Sequence, residues 1–152
     1  MLAPNVAAEM ARYNVERHRR IGVDGPWIEH LMDDEGLSYE QARELLLAWE
    51  RIPINDPVLG HMATILKRNK EIHLAIFKRF RAKAQVSRKR ILEHLQPLLD
   101  REIFLVTKID KPEDARFIER LGFEDISLAD DGVRCYILNE IQHPKVCHAS
   151  PI

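Results

Sequence analysis

The chain lacks any apolar run long enough to cross a bilayer, so no membrane-spanning helix is expected. It has two cysteines, Cys135 and Cys147, too few for a disulfide framework; a bridge between them is open to the chain, but nothing in the sequence demands it. Met1-Leu2-Ala3-Pro4 is followed by mixed polar residues, not by a basic segment leading into an apolar one. No secretory leader is visible, and the cytoplasm is the expected compartment. Net charge is −1, which argues against a protein that works chiefly by neutralising a nucleic-acid backbone. Internal repeats, low-complexity tracts, Walker loops, dinucleotide fingerprints, nucleophile elbows and paired Cys-x-x-Cys motifs are all missing.

What is present is the composition of a soluble globule. The 152 residues are 45% hydrophobic and 31% charged, enough for one domain with a core of its own, expected over 1–141 with a tail at 142–152. Charge is uneven. Between Lys67 and Arg90 the chain has ten Lys or Arg and a single acid, Glu71. Such a face suits a solvated surface, the phosphates of a cofactor, or contact with nucleic acid or an acidic protein partner, the solvated surface being the first reading.

The most readable pattern lies in 103–138. Residues 103–109 are a short β-branched, apolar run and predict a strand; Asp110-Lys111-Pro112-Glu113-Asp114 opens a helix that continues to Leu121. Gly122 falls where a left-handed helix cap costs a glycine nothing, and Phe123 can fold back on the last turn. Residues 124–128 and 133–138 flank Asp130-Asp131-Gly132, which predicts a hairpin.

Upstream, 5–21 reads as an amphipathic helix and Pro26 suits the first turn of a short second one ending before Gly36. Ser38 and Gln41 form a capping-box pair opening a helix over 38–51, with Ala42, Leu45, Leu46 and Trp49 on one apolar face, and Pro53 forbids its continuation. Residues 52–57 read as a turn-rich connector. The next stretch fits two templates. Met62, Ile65, Leu66, Asn69, Ile72, His73, Ile76, Phe77 and Phe80 suit a helix, whereas alternation at Ile72, Leu74 and Ile76, with Arg68-Asn69-Lys70 as a turn, suits strands over 58–66 and 72–80. Two strands are preferred, since Gly60 is awkward inside a helix. Residues 87–99 then predict a helix with Ile91, Leu92, Leu95, Leu98 and Leu99 inward and Pro97 kinking or shortening its end.

Strand, helix ending in Leu121-Gly122-Phe123, then ribbon resembles the C-terminal half of the GNAT superfamily of acyl-CoA N-acyltransferases. Phe117-Ile118-Glu119-Arg120-Leu121-Gly122-Phe123-Glu124 carries the likeness, while Val58-Leu59-Gly60-His61 and Glu71-Ile72-His73-Leu74 look like the family's third and fourth strands. The likeness covers 58–138. It implies an α+β fold: a mixed sheet of about five strands with packed helices, behind a helical N-terminal part over 1–53 in place of the family's opening strand.

The resemblance also implies sites. The family's pyrophosphate turn, Gln/Arg-x-x-Gly-x-Gly/Ala, matches Gln85-Val86-Ser87-Arg88-Lys89-Arg90, with both small positions replaced by arginine. Weak binding of acetyl-CoA is therefore expected. The tyrosine that protonates the leaving thiolate is Ile118 here, the asparagine that often opens the same helix is Lys111, and Tyr136 is the nearby candidate acid. Glu71 and His73 are the candidate bases, and strand alternation would place both on one face. Arg116-Phe117-Ile118 is similar to short GNAT-like proteins of short-tailed bacteriophages, some of them virion components. The implied function is a structural or interaction module that has lost catalysis, its protein partner met through the N-terminal helices or the basic face at 67–90; the alternative is an acetyl-CoA-dependent N-acetyltransferase acting on an amine. His143, Cys147 and His148, without a fourth ligand, do not make a zinc site.

Overall fold

A computed structural model describes residues 22–81, 86–126 and 133–141. Among them, six strands form one mixed sheet in the order β1-β2-β3-β4-β6-β5. In chain order the elements are α1 (Gly25–Asp33), α2 (Tyr39–Leu46), β1 (Glu50–Asp56), β2 (Gly60–Arg68), β3 (Glu71–Ile76), the single turn α3 (Lys78–Arg81), α4 (Arg88–Glu102), β4 (Leu105–Ile109), α5 (Pro112–Arg120), β5 (Glu124–Asp125) and β6 (Arg134–Leu138). The chain divides into two compact units, Met1–Leu66 with Leu74–Val86, and Lys67–His73 with Ser87–Ile152, so β2 and β3 each run through both. The expected helix at 5–21, the hairpin turn at 127–132 and the tail at 142–152 lie outside the described residues.

In the first unit, α1 starts with Pro26 in its first turn, as a residue without an N–H can, and α2 carries the full capping box: Ser38 Oγ accepts from Gln41 N–H, and Gln41 Oε1 accepts from Ser38 N–H. Ile28, Leu31, Ala42, Leu46 and Leu66 bury together, with Trp27 and Trp49 packed at their edge. Helix α2 is shorter than expected. It stops at Leu46, Leu45 is 44% exposed, and the chain enters β1 at Glu50. Arg51 caps the end by donating from Nη1 to Leu46 O at 2.7 Å while its Nε meets Asp24 at 3.0 Å.

The connector expected at 52–57 is therefore mostly strand, and the helical part expected over 1–53 gives way to strand at Glu50. Among the described residues β1 is the last strand in the sheet order, a position that suits Pro53, which has no N–H to give a ladder. At the β1–β2 turn Asp56 Oδ1 accepts from Val58 and Leu59 N–H, and Gly60 takes φ +78°. Strand β2 thus begins at Gly60, two residues later than expected. Two strands, not one helix, occupy the ambiguous stretch, yet the helical spacing has its place: the chain leaves β3 after Ile76, and Phe77 and Phe80 bury with Met62 as Arg81 N–H closes on Phe77 O.

In the second unit, Asn69 makes the β2–β3 turn at φ +55°, and β3 meets β4 in parallel at the Glu71–Val106 pair. Helix α4 buries the five expected side chains and continues past Pro97 to Glu102. Pro97 lies on the exposed side, where water can serve the Glu93 carbonyl that loses its partner. The helix ends abruptly. Ile103 has φ +69° and ψ −47° and is 79% exposed, while Phe104 N–H donates back to Glu102 O at 2.7 Å, making a positive-φ γ-turn centred on a β-branched residue. The strand expected from Ile103 begins only at Leu105.

Helix α5 closes as its sequence predicts. Gly122, at φ +105°, donates to Glu119 O, and Phe123 N–H donates to Ile118 O, the paired bonds of a Schellman motif, with Phe123 buried beyond them. Strand β6 pairs antiparallel with β4 from Leu105–Leu138 to Ile109–Arg134, and with β5 at Glu124–Ile137 and Asp125–Tyr136.

Candidate functional site

The candidate site residues that can be placed all fall in the second unit. Glu71 opens β3 directly after the Asn69 turn, and His73 follows two residues later, so the pleat sends both side chains to one face. His73 Nε2 donates to Glu71 Oε2 at 2.6 Å, and each side chain is 25% exposed. A carboxylate that accepts an imidazole N–H in this way is oriented as a candidate proton acceptor would be.

Tyr136 does not join them. Glu71 pairs with Val106, whereas Tyr136 pairs with Thr107, the next residue of β4, and consecutive strand residues point to opposite faces. The phenol is 1% exposed and donates to Glu119 Oε1 on α5 at 3.4 Å. Burial, then the carboxylates of Glu119 and Asp125, push it above its ordinary value. Ile118 on α5 is buried, and Lys111, N-cap of that helix, makes no side-chain cap.

At the start of α4, Ser87 is the N-cap and its Oγ accepts Arg90 N–H at 3.1 Å. Arg88 and Lys89 are exposed; Arg90 Nη1 donates to Glu93 Oε2 at 3.4 Å. Gln85 lies outside the described residues. Other members of the basic run are partly neutralised: Lys78 meets Asp34 at 3.0 Å, and the Arg79 guanidinium lies 4.3 Å over Phe77 and 4.7 Å over Phe80.

Two clusters escaped the sequence reading. Lys67, 5% exposed, donates to Glu102 Oε1 at 2.9 Å, and Lys70 Nζ donates to Glu102 O at 2.9 Å; the Lys67 ammonium chiefly holds the Glu102 carboxyl below the usual range. The signal was a lysine ending the buried run Met62 to Leu66, but its partner is 35 residues away. In the first unit, His61 Nε2 lies 2.8 Å from Thr64 Oγ1, whose proton goes to Val23 O, and burial pushes the imidazole below its usual value. Among the described residues no group of three or more His, Cys, Asp or Glu is arranged for a metal, and no helix is long and apolar enough to cross a membrane. His143, Cys147 and His148 lie outside them; Cys135 is a free thiol.

No family profile and no curated protein sequence matches the chain. Solved structures do. The spermidine N-acetyltransferase SpeG from Vibrio cholerae superposes with a TM-score of 0.54 at 13% identity, over 78% of this chain and 92% of that one. An acetyltransferase from Agrobacterium tumefaciens gives 0.53 at 12% identity, over 76% of this chain and 84% of that one. The fold is that of the GNAT superfamily. On the GNAT fold, then, the structure brings Glu71 and His73 together, sets Tyr136 on the opposite face of the sheet, and gives α4 a first turn of basic side chains closed by its own serine cap.

Proposed function

We propose that this GNAT-fold chain is an interaction module that does not carry out acyl transfer. The observation that supports it best is the first turn of α4. A pyrophosphate seated on a helix N-terminus draws on the first-turn N–H groups, and here Arg90 N–H is taken by Ser87 Oγ while Arg88 and Arg90 add side chains where the acyltransferases keep small residues. This turn does not fit acetyl-CoA in that mode. Loss of the acid agrees with this: Ile118 has no proton to give, and the Tyr136 hydroxyl lies on the other face of the sheet from Glu71. Exposed Arg88 and Lys89 within the basic stretch at 67–90 suit an acidic protein partner, with the N-terminal helices as the other candidate surface. Arg116-Phe117-Ile118 favours a virion or accessory component of a short-tailed phage.

A second reading, an acetyl-CoA-dependent N-acetyltransferase acting on an amine, is favoured by the Glu71–His73 pair. Glu71, oriented by the His73 Nε2–H, would take the proton that an ammonium acceptor must lose before its nitrogen can attack.

One assay separates the two. The full chain is incubated with acetyl-CoA and a panel of amines including spermidine, and the free thiol of released coenzyme A is followed. No release above the protein-free blank is expected. Release that disappears in Glu71→Gln would overturn the interaction-module reading.

A further inference from the structure

Helix α4 ends at a joint that is strained, charged and tied to the start of β3. Ile103 holds the positive-φ γ-turn, so Glu102 O must accept Phe104 N–H, and the same oxygen accepts from Lys70 Nζ. The Glu102 carboxylate meets Lys67 at 2.9 Å and Lys70 at 3.6 Å, and the Lys70 ammonium lies 4.8 Å over the Phe104 ring. Lys70 is committed at both ends. Its ammonium is bound to Glu102 and Phe104, while its backbone carbonyl accepts Val106 N–H at 2.8 Å, beside the Glu71–Val106 pair. Glu71, which carries the His73 hydrogen bond, is the next residue.

We propose that Glu102 is a positioning residue for the Glu71–His73 pair, acting through Lys70: the carboxylate fixes the lysine, the lysine carbonyl fixes Val106, and the register so fixed sets where Glu71 stands. This role does not depend on whether the chain transfers acyl groups. Both the γ-turn and the parallel pairing of β3 with β4 hang on residues that Glu102 touches directly or through Lys70, so loss of its charge is felt first at Val106 and His73 and not along the length of α4. Arg68 and Arg101 flank the joint in sequence, and Asp100 binds Gln96 on the helix's own surface. Lys67 and Lys70 are both cationic partners of the Glu102 carboxylate.

The test is amide exchange by NMR on the full chain, with the His73 ring resonances followed at one fixed pH. Lys70→Met removes the ammonium but leaves the Lys67–Glu102 pair in place; Glu102→Gln removes the charge. In both, Val106 N–H is expected to exchange about tenfold faster or more, while Leu95 and Leu98 in the interior of α4 keep their rates. The His73 ring resonances shift in the same two variants as its hydrogen bond to Glu71 is disturbed, and Lys70→Arg restores both signals. Unchanged Val106 exchange, or acceleration shared equally by Leu95 and Leu98, would overturn the role. Should Glu102→Gln fail to fold because Lys67 is left unpaired, Lys70→Met decides by the same signals.

Discussion

Glu71 and Tyr136 face away from each other through the sheet, because their partners on β4, Val106 and Thr107, are consecutive. Tyr136 therefore serves the side packed by α5, where its ring is buried and its hydroxyl meets Glu119 at a long 3.4 Å. Tyr136→Phe should cost less than about 1 kcal/mol, since only a weak hydrogen bond goes, whereas Tyr136→Ala should cost about 3–5 kcal/mol through the cavity it leaves. Urea unfolding at neutral pH distinguishes them. The phenol's folded value is raised, so the native state keeps a proton that the unfolded chain sheds at its ordinary 10.0; stability is whole below that pH and falls as pH rises beyond it. In Tyr136→Phe that alkaline decline should be shallower.

Much of this architecture was legible because local signals agreed with the tertiary outcome. Ser38 and Gln41 started α2, Gly122 ended α5, and the two-residue step from Glu71 to His73 gave their shared face. Misreadings came where a distant contact outweighed the local pattern. Pro53 reads as a break in a helix and is a residue of β1, last in the sheet order among the described residues; the apolar helical face drawn through Trp49 ends at Leu46, whose carbonyl Arg51 returns to cap. Lys67 belongs by sequence to the basic surface stretch, yet Glu102 holds it inside, and no periodicity reports a partner 35 residues distant. The opposite placement of Tyr136 depends on strand register, which the pairing of β4 with both neighbours sets and neither strand encodes alone.

Glu102 should govern the acid side of the stability curve. Its folded value is depressed by Lys67, so the stability it contributes is present above the ordinary carboxylate value of 4.5 and is lost as pH falls through the folded value. Glu102→Gln should lower stability at pH 7 and flatten the acid limb below that pH, read by thermal unfolding across pH. An acid limb unchanged in the variant would remove Glu102 from the account.

Gly122→Val should destabilise the fold by about 1–3 kcal/mol, because a β-branched residue is strained at φ +105°. Space is not the obstacle: an added Cβ would sit 3.6 Å from Leu138 Cδ1, an ordinary contact. Gly122→Ala, strained by backbone alone, should therefore show most of the same loss in chemical denaturation.

Ile103→Gly should do the reverse. The side chain is 79% exposed and contributes little burial, while its backbone holds a conformation that glycine adopts freely. A gain of about 1 kcal/mol is expected after the glycine's extra unfolded-state entropy is subtracted from relieved strain. A loss in the melting midpoint would mean that the turn is not strained.

The most direct test of the central claim is calorimetric titration of the full chain with acetyl-CoA. Charge-assisted bonds to helix N–H groups contribute about 1.5–3 kcal/mol each, so forfeiting two of them removes about 3–6 kcal/mol, or about two to four decades of affinity. Arg88 and Lys89 can return part of that through their own charges, but exposed contacts of this kind are screened by salt. The predicted dissociation constant is high micromolar or weaker at physiological ionic strength, rising with added salt, and Arg88→Gly combined with Arg90→Gly should bind no worse than the parent. Low-micromolar binding by the parent, lost in that double variant, would contradict the account and make the arginines themselves the cofactor site.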